Sequence, residues 1–139
     1  MATNFQFSVA VHIVAGLGRQ YGEAVTSGKI AGSVNTSPSF VRRVLARLSR
    51  AGLVKTATGK AGACWLARNP KDITLLDVYR AVEAPRAFAI HDYPECATCP
   101  VSRRIKPALK VALGKAQNAM ESGLAAIRIA DVIADINRK

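Results

Sequence analysis

The sequence predicts a mostly α-helical fold with one small β-hairpin and a long helix near the carboxyl end. Three observations support this prediction. Apolar residues recur at three- and four-residue spacing along most of the chain, two short alternating segments flank a turn near residue 60, and the last third keeps helical spacing with few breaks. Half of the 139 residues are hydrophobic, which is enough to form the core of a folded domain.

The first helix is predicted from Asn4 to about Leu17. Its apolar residues lie three or four positions apart, so they share one face that is expected to be buried. Glycine disfavours a helix interior, and we therefore expect Gly16, Gly18 and Gly22 to end this helix. The apolar residues of the predicted face are Phe5, Val9, Ile13, Val14 and Leu17.

A second helix is predicted from Thr26 to Val34, with Thr26 or Ser27 as its N-cap. Asn35 and Thr36 follow it as a tight connection to a third helix. This helix, short turn and helix is the spacing of a helix-turn-helix unit. In such a unit the first helix braces the second, and the N-terminal residues of the second meet base edges in the major groove of DNA.

The third helix occupies the stretch from Ser37 to Gly52 and carries four arginines with no acidic residue. Ser37 is expected to cap its start, Pro38 suits the first helical position, and Gly52 is a natural terminator. Its apolar residues form one stripe that is predicted to face the core: Val41, Val44, Leu45 and Leu48. A charged helix face is often only solvated, but a face whose charges all have one sign favours a nucleic-acid partner.

Two short strands are predicted after the third helix, from Leu53 to Thr56 and from Cys64 to Ala67, joined by a turn over Thr58–Gly62. A basic hairpin directly after a recognition helix has the position of a wing. Lys55 and Lys60 would then touch phosphate or a minor groove. An ordinary surface hairpin is the alternative, and the lack of acidic residues in this segment favours the wing.

Basic charge is concentrated in the first half of the chain. The formal net charge is +11; residues 1–70 hold nine Lys or Arg and one acid, while residues 71–139 hold eleven and eight. We therefore expect the first half to meet a polyanion and the second half to self-associate. A membrane surface is the competing acidic partner, but no apolar segment is long enough to span a bilayer and the start does not resemble a signal peptide. These features predict a cytoplasmic protein without a membrane partner.

The second half is predicted to hold a short helix, a loop and a long helix. Thr74 caps a helix that runs to about Glu83, and residues 86–100 show no sustained period, which marks a long loop of the kind that is often functional. From Val101 the chain is helical, with an apolar seam at coiled-coil spacing that needs a partner, most simply a second copy of the chain. Residues 129–139 are predicted to add a short helix. The seam consists of Leu109, Leu113, Ala116, Met120, Gly123 and Ile127.

These segments resemble the bacterial winged-helix regulators of the BadM/Rrf-two family. The resemblance covers nearly the whole chain and is most specific from Ser37 to Glu83, in the phrases Ser-Pro-Ser-Phe-Val, Leu-Ala-Arg-Leu, Ala-Gly-Leu-Val and Ile-Thr-Leu-Leu-Asp-Val-Tyr-Arg-Ala-Val-Glu. The family includes sensors of iron–sulfur clusters, nitric oxide, cysteine metabolism and hypochlorite. The resemblance implies a homodimeric transcription factor with a winged helix-turn-helix in residues 1–83, a sensor loop in 84–100 and a dimerisation helix with its tail in 101–139.

Two departures from the family pattern concern the wing and the cysteines. Many members have an arginine just before the wing glycines, whereas this chain has Thr58 there, so Lys60 replaces that minor-groove contact only in part. Cluster-binding members typically have three cysteines in the loop before the long helix. This chain has two, Cys96 and Cys99.

The CxxC pair of Cys96 and Cys99 permits several chemistries. Structural zinc and most iron–sulfur clusters need four ligands, and the loop offers two cysteines plus His91 with a nearby carboxylate, so a metal or cluster is not favoured. A thiol switch needs only a reactive thiolate and a resolving thiol. Cys99 precedes the long helix and its arginines, and Cys-Pro-Val resembles the sensing cysteine of the hypochlorite branch. Cys96, or else Cys64, would resolve it, and three inert thiols remain the alternative.

The sequence therefore predicts a non-enzymatic, sequence-specific regulator, in the first instance a repressor, that binds double-stranded DNA as a homodimer and responds to oxidation of loop cysteines. The rivals are a metal- or cluster-sensing regulator, an RNA-binding protein and a CxxC oxidoreductase, the last disfavoured because no βαβ pattern surrounds the cysteines. His12 has no catalytic partner at a credible spacing. The predicted DNA contacts are Ser37, Ser39, Phe40, Arg42, Arg43, Arg47, Arg50, Lys55 and Lys60.

Overall fold

The computed structural model describes residues 5–57 and 62–138, and it confirms a mostly helical chain with a small antiparallel sheet. The elements of the amino-terminal part are α1 (Gln6–Arg19), β1 (Val25–Thr26), α2 (Ser27–Val34), α3 (Pro38–Arg50), β2 (Val54–Thr56) and β3 (Ala63–Leu66). A 3-10 turn (Pro70–Asp72), α4 (Leu75–Ala81), α5 (Pro100–Ala125) and α6 (Ile129–Asn137) follow.

The helix-turn-helix forms where the sequence predicts it, through local capping. The Thr26 hydroxyl accepts a hydrogen bond from the backbone N–H of Lys29 at 3.2 Å and so caps α2. Asn35 ends α2 in the left-handed conformation at φ 63°, a region that asparagine tolerates better than most residues. The connection to α3 is therefore tight, and α2 and α3 pack directly against each other.

The sheet has three strands rather than the predicted two, in the order β1-β3-β2 and antiparallel throughout. Strand β1 is only two residues long and pairs Val25 with Cys64 across the sheet. Its backbone position was not predicted because it depends on pairing with a strand almost forty residues away. The predicted turn over Thr58–Gly62 falls largely on residues 58–61, which lie outside the described residues.

Helix α1 continues through two of the glycines that the sequence predicts as terminators. Gly18 lies inside the helix. Glycine is required there because a Cβ atom would come within 2.6 Å of Ile133 Cδ1 and 3.2 Å of Pro70 Cγ. The missing side chain thus allows α6 to approach α1 closely. Phe5 was predicted on the buried face, but it precedes the helix and is 65% exposed.

The contacts divide the chain into two compact units. One unit contains the described residues up to Ala84 together with those from Leu124 onward, and its core is built mainly from α1, α3, the sheet, α4 and the start of α6. Thr74 and Asp77 form a reciprocal capping box at the start of α4. The tail helix α6 therefore packs with the amino-terminal elements, whereas the sequence groups it with the long helix.

The second unit spans Pro85–Gly123 and consists of an irregular segment followed by most of α5. Pro107 lies inside α5, well after the first turn that begins at Pro100. The helix ends at Ala125, so Ile127, the last residue of the predicted seam, lies beyond the helix. The Ile127 carbonyl accepts a hydrogen bond from Leu75 N–H at 2.9 Å. No described helix is both long and apolar enough to cross a membrane.

Candidate nucleic-acid interface and thiol pair

Helix α3 presents a basic face opposite a fully buried apolar stripe. Val41 and Leu48 are wholly inaccessible to solvent, and Val44 and Leu45 nearly so. Arg42, Arg43 and Arg50 are exposed on the other side of the helix. Among the described residues no carboxylate forms an ion pair with any of these three arginines. Their charge is therefore available to an external anion.

The first turn of α3 is held by local contacts that also arrange its polar groups. The Ser37 hydroxyl accepts a hydrogen bond from Phe40 N–H at 3.2 Å, which caps the helix and leaves the hydroxyl proton to donate elsewhere. The guanidinium of Arg43 lies 5.5 Å from the centre of the Phe40 ring. Phe40 is half-buried against the core, so it supports Arg43 from beneath, while Ser39 is exposed beside them.

Arg47 is turned away from the basic face toward α4. Its Nη1 donates to the backbone carbonyl of Val82 at 2.8 Å and lies 3.9 Å from Glu83 Oε2. The charge-assisted bond to Val82 is the main contact, because the carboxylate of Glu83 is distant and exposed. Arg47 therefore ties α3 to the end of α4 and is less available to phosphate than the sequence implies.

A groove of about 510 Å³ lies between α3 and the hairpin. Arg42 and Arg50 line it from α3, and the described residues that line it include no acidic side chain. Ser27, Ser49 and Thr56 also line it, and the sequence pattern does not identify these residues because it does not reveal which side chains meet across the fold. Arginine and hydroxyl groups are the side chains that most often bind DNA phosphates.

The hairpin places Lys55 on β2 directly opposite Trp65 on β3, with Lys55 exposed and Trp65 half-buried. Gly62 accepts a hydrogen bond through its carbonyl from Ser27 N–H at 3.1 Å, which joins the base of the hairpin to the start of α2. Lys60, predicted at the wing tip, lies outside the described residues. The described part of the hairpin thus contributes one exposed lysine, Lys55.

Comparison with known proteins decides the family. Residues 3–135 match the family model Rrf2, described as an iron-dependent transcriptional regulator. This chain belongs to the Rrf2 family of transcriptional regulators. It is 39% identical over 131 residues to YwnA of Bacillus subtilis strain 168, a candidate HTH-type transcriptional regulator, with 94% of this chain and 96% of YwnA covered.

Solved structures of Rrf2 regulators share the fold. T. potens IscR matches with a TM-score of 0.72 and 25% identity, over 99% of this chain and 89% of that protein. CymR, described as the global cysteine regulator of B. subtilis, matches in fold with a TM-score of 0.68 at 21% identity, over 96% of this chain and 97% of CymR. The predicted winged helix-turn-helix and DNA-binding regulatory function are thereby confirmed.

The three cysteines of this Rrf2 chain occupy different environments. Cys64 is completely buried in β3, where its thiol donates to the Val25 carbonyl at 3.2 Å, and burial raises the pKa of this thiol to about 11. A buried thiol with a raised pKa is a poor nucleophile. The sequence offered Cys64 as a second resolving thiol, and its burial argues against that role.

Cys96 and Cys99 lie in one turn at the start of α5. Cys99 N–H donates to the Cys96 carbonyl at 3.1 Å, and Cys99 Sγ accepts from Ser102 N–H at 3.4 Å, in the position of a helix N-cap. Ser102 Oγ in turn accepts from Cys96 N–H at 2.7 Å. Cys96 is exposed, and hydrogen bonding to the side chain and then the backbone of Thr98 lowers the pKa of its thiol. Cys99 is half-buried.

The donor set does not fit the iron that the family description implies. A cluster or zinc ion needs about four ligands, which are usually cysteine or histidine. In residues 5–57 and 62–138 no three His, Cys, Asp or Glu side chains converge in a way that could hold a metal ion. The His91 ring lies beside the Tyr93 ring, with 6.0 Å between the ring centroids and a tilt of 35° between the ring planes.

Proposed function

We propose that this regulator binds its operator as a homodimer, with α3 in the major groove and the hairpin against the adjacent backbone. The observation that carries this proposal is the unpaired basic face of α3, whose arginines stand on a helix fixed by a buried apolar stripe. A rigid helix with exposed arginines suits base reading, because an arginine can donate two hydrogen bonds to the edge of guanine.

Within this interface the side chains have different roles. Ser37, Ser39 and Arg43 lie at or near the start of α3, which is the part of a recognition helix that meets base edges. Phe40 supports Arg43 and does not itself need to touch DNA. Arg42, Arg50 and Lys55 flank the groove or the hairpin and bind phosphate, as does Lys60. Repression would follow if the operator overlaps a promoter.

Fluorescence anisotropy with a duplex selected from a random library tests this interface. Wild-type protein should prefer the selected duplex to a scrambled one and to RNA of the same sequence at matched salt. Arg43→Ala should lose the preference for the selected duplex, while Arg50→Ala should weaken both duplexes alike. Equal preference in wild type and Arg43→Ala would remove α3 as the reading element.

Dimerisation is proposed through α5, since none of its predicted seam residues is fully buried in the single chain. Of all residues in α5, Gln117 alone is buried, and its Oε1 accepts from Ala87 N–H at 2.9 Å within the same unit. Leu109, Leu113 and Met120 retain partial exposure. A 26-residue helix with this much accessible apolar surface is stabilised by a second helix. The resulting regulator would act on DNA in the cytoplasm.

Control of DNA affinity is proposed to depend on oxidation of Cys96 and Cys99. The exposed thiol of Cys96 has a lowered pKa, so Cys96 is the thiol that meets the oxidant first and Cys99 resolves it. With hydrogen peroxide, an S–O bond forms at Cys96 as the O–O bond breaks, and the departing hydroxide takes up the thiol proton and leaves as water. Cys99 then attacks that sulfur, an S–S bond forms, and its proton leaves with the hydroxide as a second water.

The order of the two thiols is testable by mass spectrometry after brief exposure to a limiting peroxide. Cys99→Ser should accumulate a trappable sulfenic acid on Cys96, and Cys96→Ser should react slowly. The sequence resemblance had assigned the first step to Cys99. A sulfenic acid formed faster on Cys99 in Cys96→Ser than on Cys96 in Cys99→Ser would restore that assignment.

A further inference from the structure

A cleft beside α1 is lined by different residues from those of the groove beside α3. It has two lobes that share His12, Gly16, Arg19 and Ser33: a smaller lobe of about 150 Å³ toward α2 and a larger lobe of about 440 Å³ toward α6. The DNA-binding and redox proposals use none of these four residues. The cleft is large enough in total for a small organic molecule.

The polar groups of the cleft are cationic or neutral. Arg19 lines both lobes and Lys29 lines the smaller one, and within residues 5–57 and 62–138 no Asp or Glu lines either lobe. The Nε of Arg19 donates to Asn137 Oδ1 at 3.0 Å, which engages one of the five N–H donors of a guanidinium and fixes its position beside α6. His12 Nε2 lies 3.0 Å from Ser33 Oγ, so this pair bridges α1 and α2 where the lobes join.

The larger lobe adds an apolar wall. Val132 and Ile136 line it from α6, and Ile136 is 52% exposed although it is a large hydrophobic residue. On the α1 side Gly16 lines both lobes and is exposed, and a Cβ atom added there would meet nothing within 4 Å.

We propose that this cleft binds a small carboxylate that carries an apolar body. The carboxylate would lie against Arg19 and Lys29, because a guanidinium pairs with a carboxylate through two parallel hydrogen bonds. The apolar body would cover Val132 and Ile136. A compound with both features matches the two lobes, whereas a bare anion would leave the apolar wall exposed to water.

Isothermal titration of the full chain with three probes tests both features separately. Phenylacetate has the anion and the apolar body, acetate has only the anion, and phenylacetamide has only the body. Phenylacetate should bind about tenfold more tightly than either of the others. Equal binding of acetate and phenylacetate, or of phenylacetate and its amide, overturns the proposal, as does a lack of phenylacetate binding.

Variants locate the binding in the cleft. Gly16→Leu places a large side chain in the cleft and should abolish phenylacetate binding. Gly32→Leu introduces the same side chain at another helical glycine with open space around it and should retain binding. Arg19→Gln should weaken binding about tenfold. If Gly16→Leu does not fold, Arg19→Gln still decides the question. Unchanged affinity in folded Arg19→Gln would place the ligand elsewhere, and this result is independent of DNA binding.

Discussion

Helices α3 and α5 are both amphipathic and both basic, but they differ in how far their apolar residues are buried within the chain. The four apolar residues of the α3 stripe are at most 4% exposed, whereas α5 is twice as long and has Gln117 as its sole buried residue. Arg42, Arg43 and Arg50 of α3 are exposed and pair with no described carboxylate, so these three arginines are free to meet DNA. The apolar residues of α5 are those that still need a partner.

The largest expected effect comes from removing a core residue of α3. Leu48 is completely buried, so Leu48→Ala should lower the free energy of unfolding by about 2–5 kcal/mol through the lost burial and the cavity left behind. Urea unfolding at several protein concentrations measures this. The loss should not change with concentration, because α3 is packed within its own chain.

The matched change in α5 is Leu109→Ala, at a half-buried position of the predicted seam. Its effect should grow with protein concentration, since a residue that acts across a dimer stabilises only the assembled form. A concentration-independent loss as large as that of Leu48→Ala would mean that α5 is covered within the chain, and the difference between the two helices would disappear.

Assembly should break when a charge is placed on the seam. Leu113→Asp would bury an unpaired carboxylate between two copies of α5, and we expect the dimer dissociation constant to rise about a hundredfold. Analytical ultracentrifugation measures this change. Val111→Asp is the control, because Val111 is 63% exposed and falls outside the seam. An equal effect of the two substitutions would assign a different face of α5 to the dimer.

A smaller effect is expected from the arginines of α3, and it should differ between them. Arg43→Ala should cost about 1–3 kcal/mol on the selected operator and relax sequence preference there, since Arg43 is near the start of the helix. Arg50→Ala should lower affinity for operator and scrambled duplex alike and reduce the salt slope by about one. Anisotropy titrations from low to high salt separate the two outcomes, and identical salt slopes in wild type and Arg50→Ala would exclude a phosphate contact there.

The predictability of the two helices from sequence also differs, for a physical reason. Helix α3 begins at Ser37 and Pro38 and ends before Gly52, whose φ is +79°, and these signals are all local. The sequence predicts the end of α5 at least two residues beyond Ala125, because the seam spacing continues to Ile127. In the structure the Ile127 carbonyl instead accepts a hydrogen bond from Leu75 N–H of α4. Periodicity reveals which residues share a face but not where tertiary hydrogen bonds replace helical ones.

The candidate sites follow the same rule. The arginine face was predictable because a helix with a known apolar stripe fixes the direction of its other side chains. The lowered pKa of Cys96 depends on hydrogen bonds with the nearby Thr98, whose geometry in an irregular segment no periodic pattern reveals. The approach of α6 to Gly18 depends on Ile133, more than a hundred positions away. Strand β1 and the hydroxyl groups of the groove are likewise products of long-range pairing.

Substitution of Arg47 should have a small effect on stability, and it distinguishes a DNA contact from a contact within the protein. Arg47 lies on α3 but is bonded to the end of α4. Sequence pattern groups Arg47 with the phosphate-binding arginines, whereas its 2.8 Å bond to the Val82 carbonyl makes it a brace within the protein. Arg47→Ala should therefore lower the free energy of unfolding by at most about 1 kcal/mol, because the side chain is partly exposed and solvent weakens the bond. It should leave the salt slope of DNA binding unchanged. Arg50→Ala should do the opposite, with little effect on unfolding and a shallower slope. If Arg47→Ala instead reduces the salt slope as Arg50→Ala does, Arg47 leaves Val82 when DNA binds and joins the basic face.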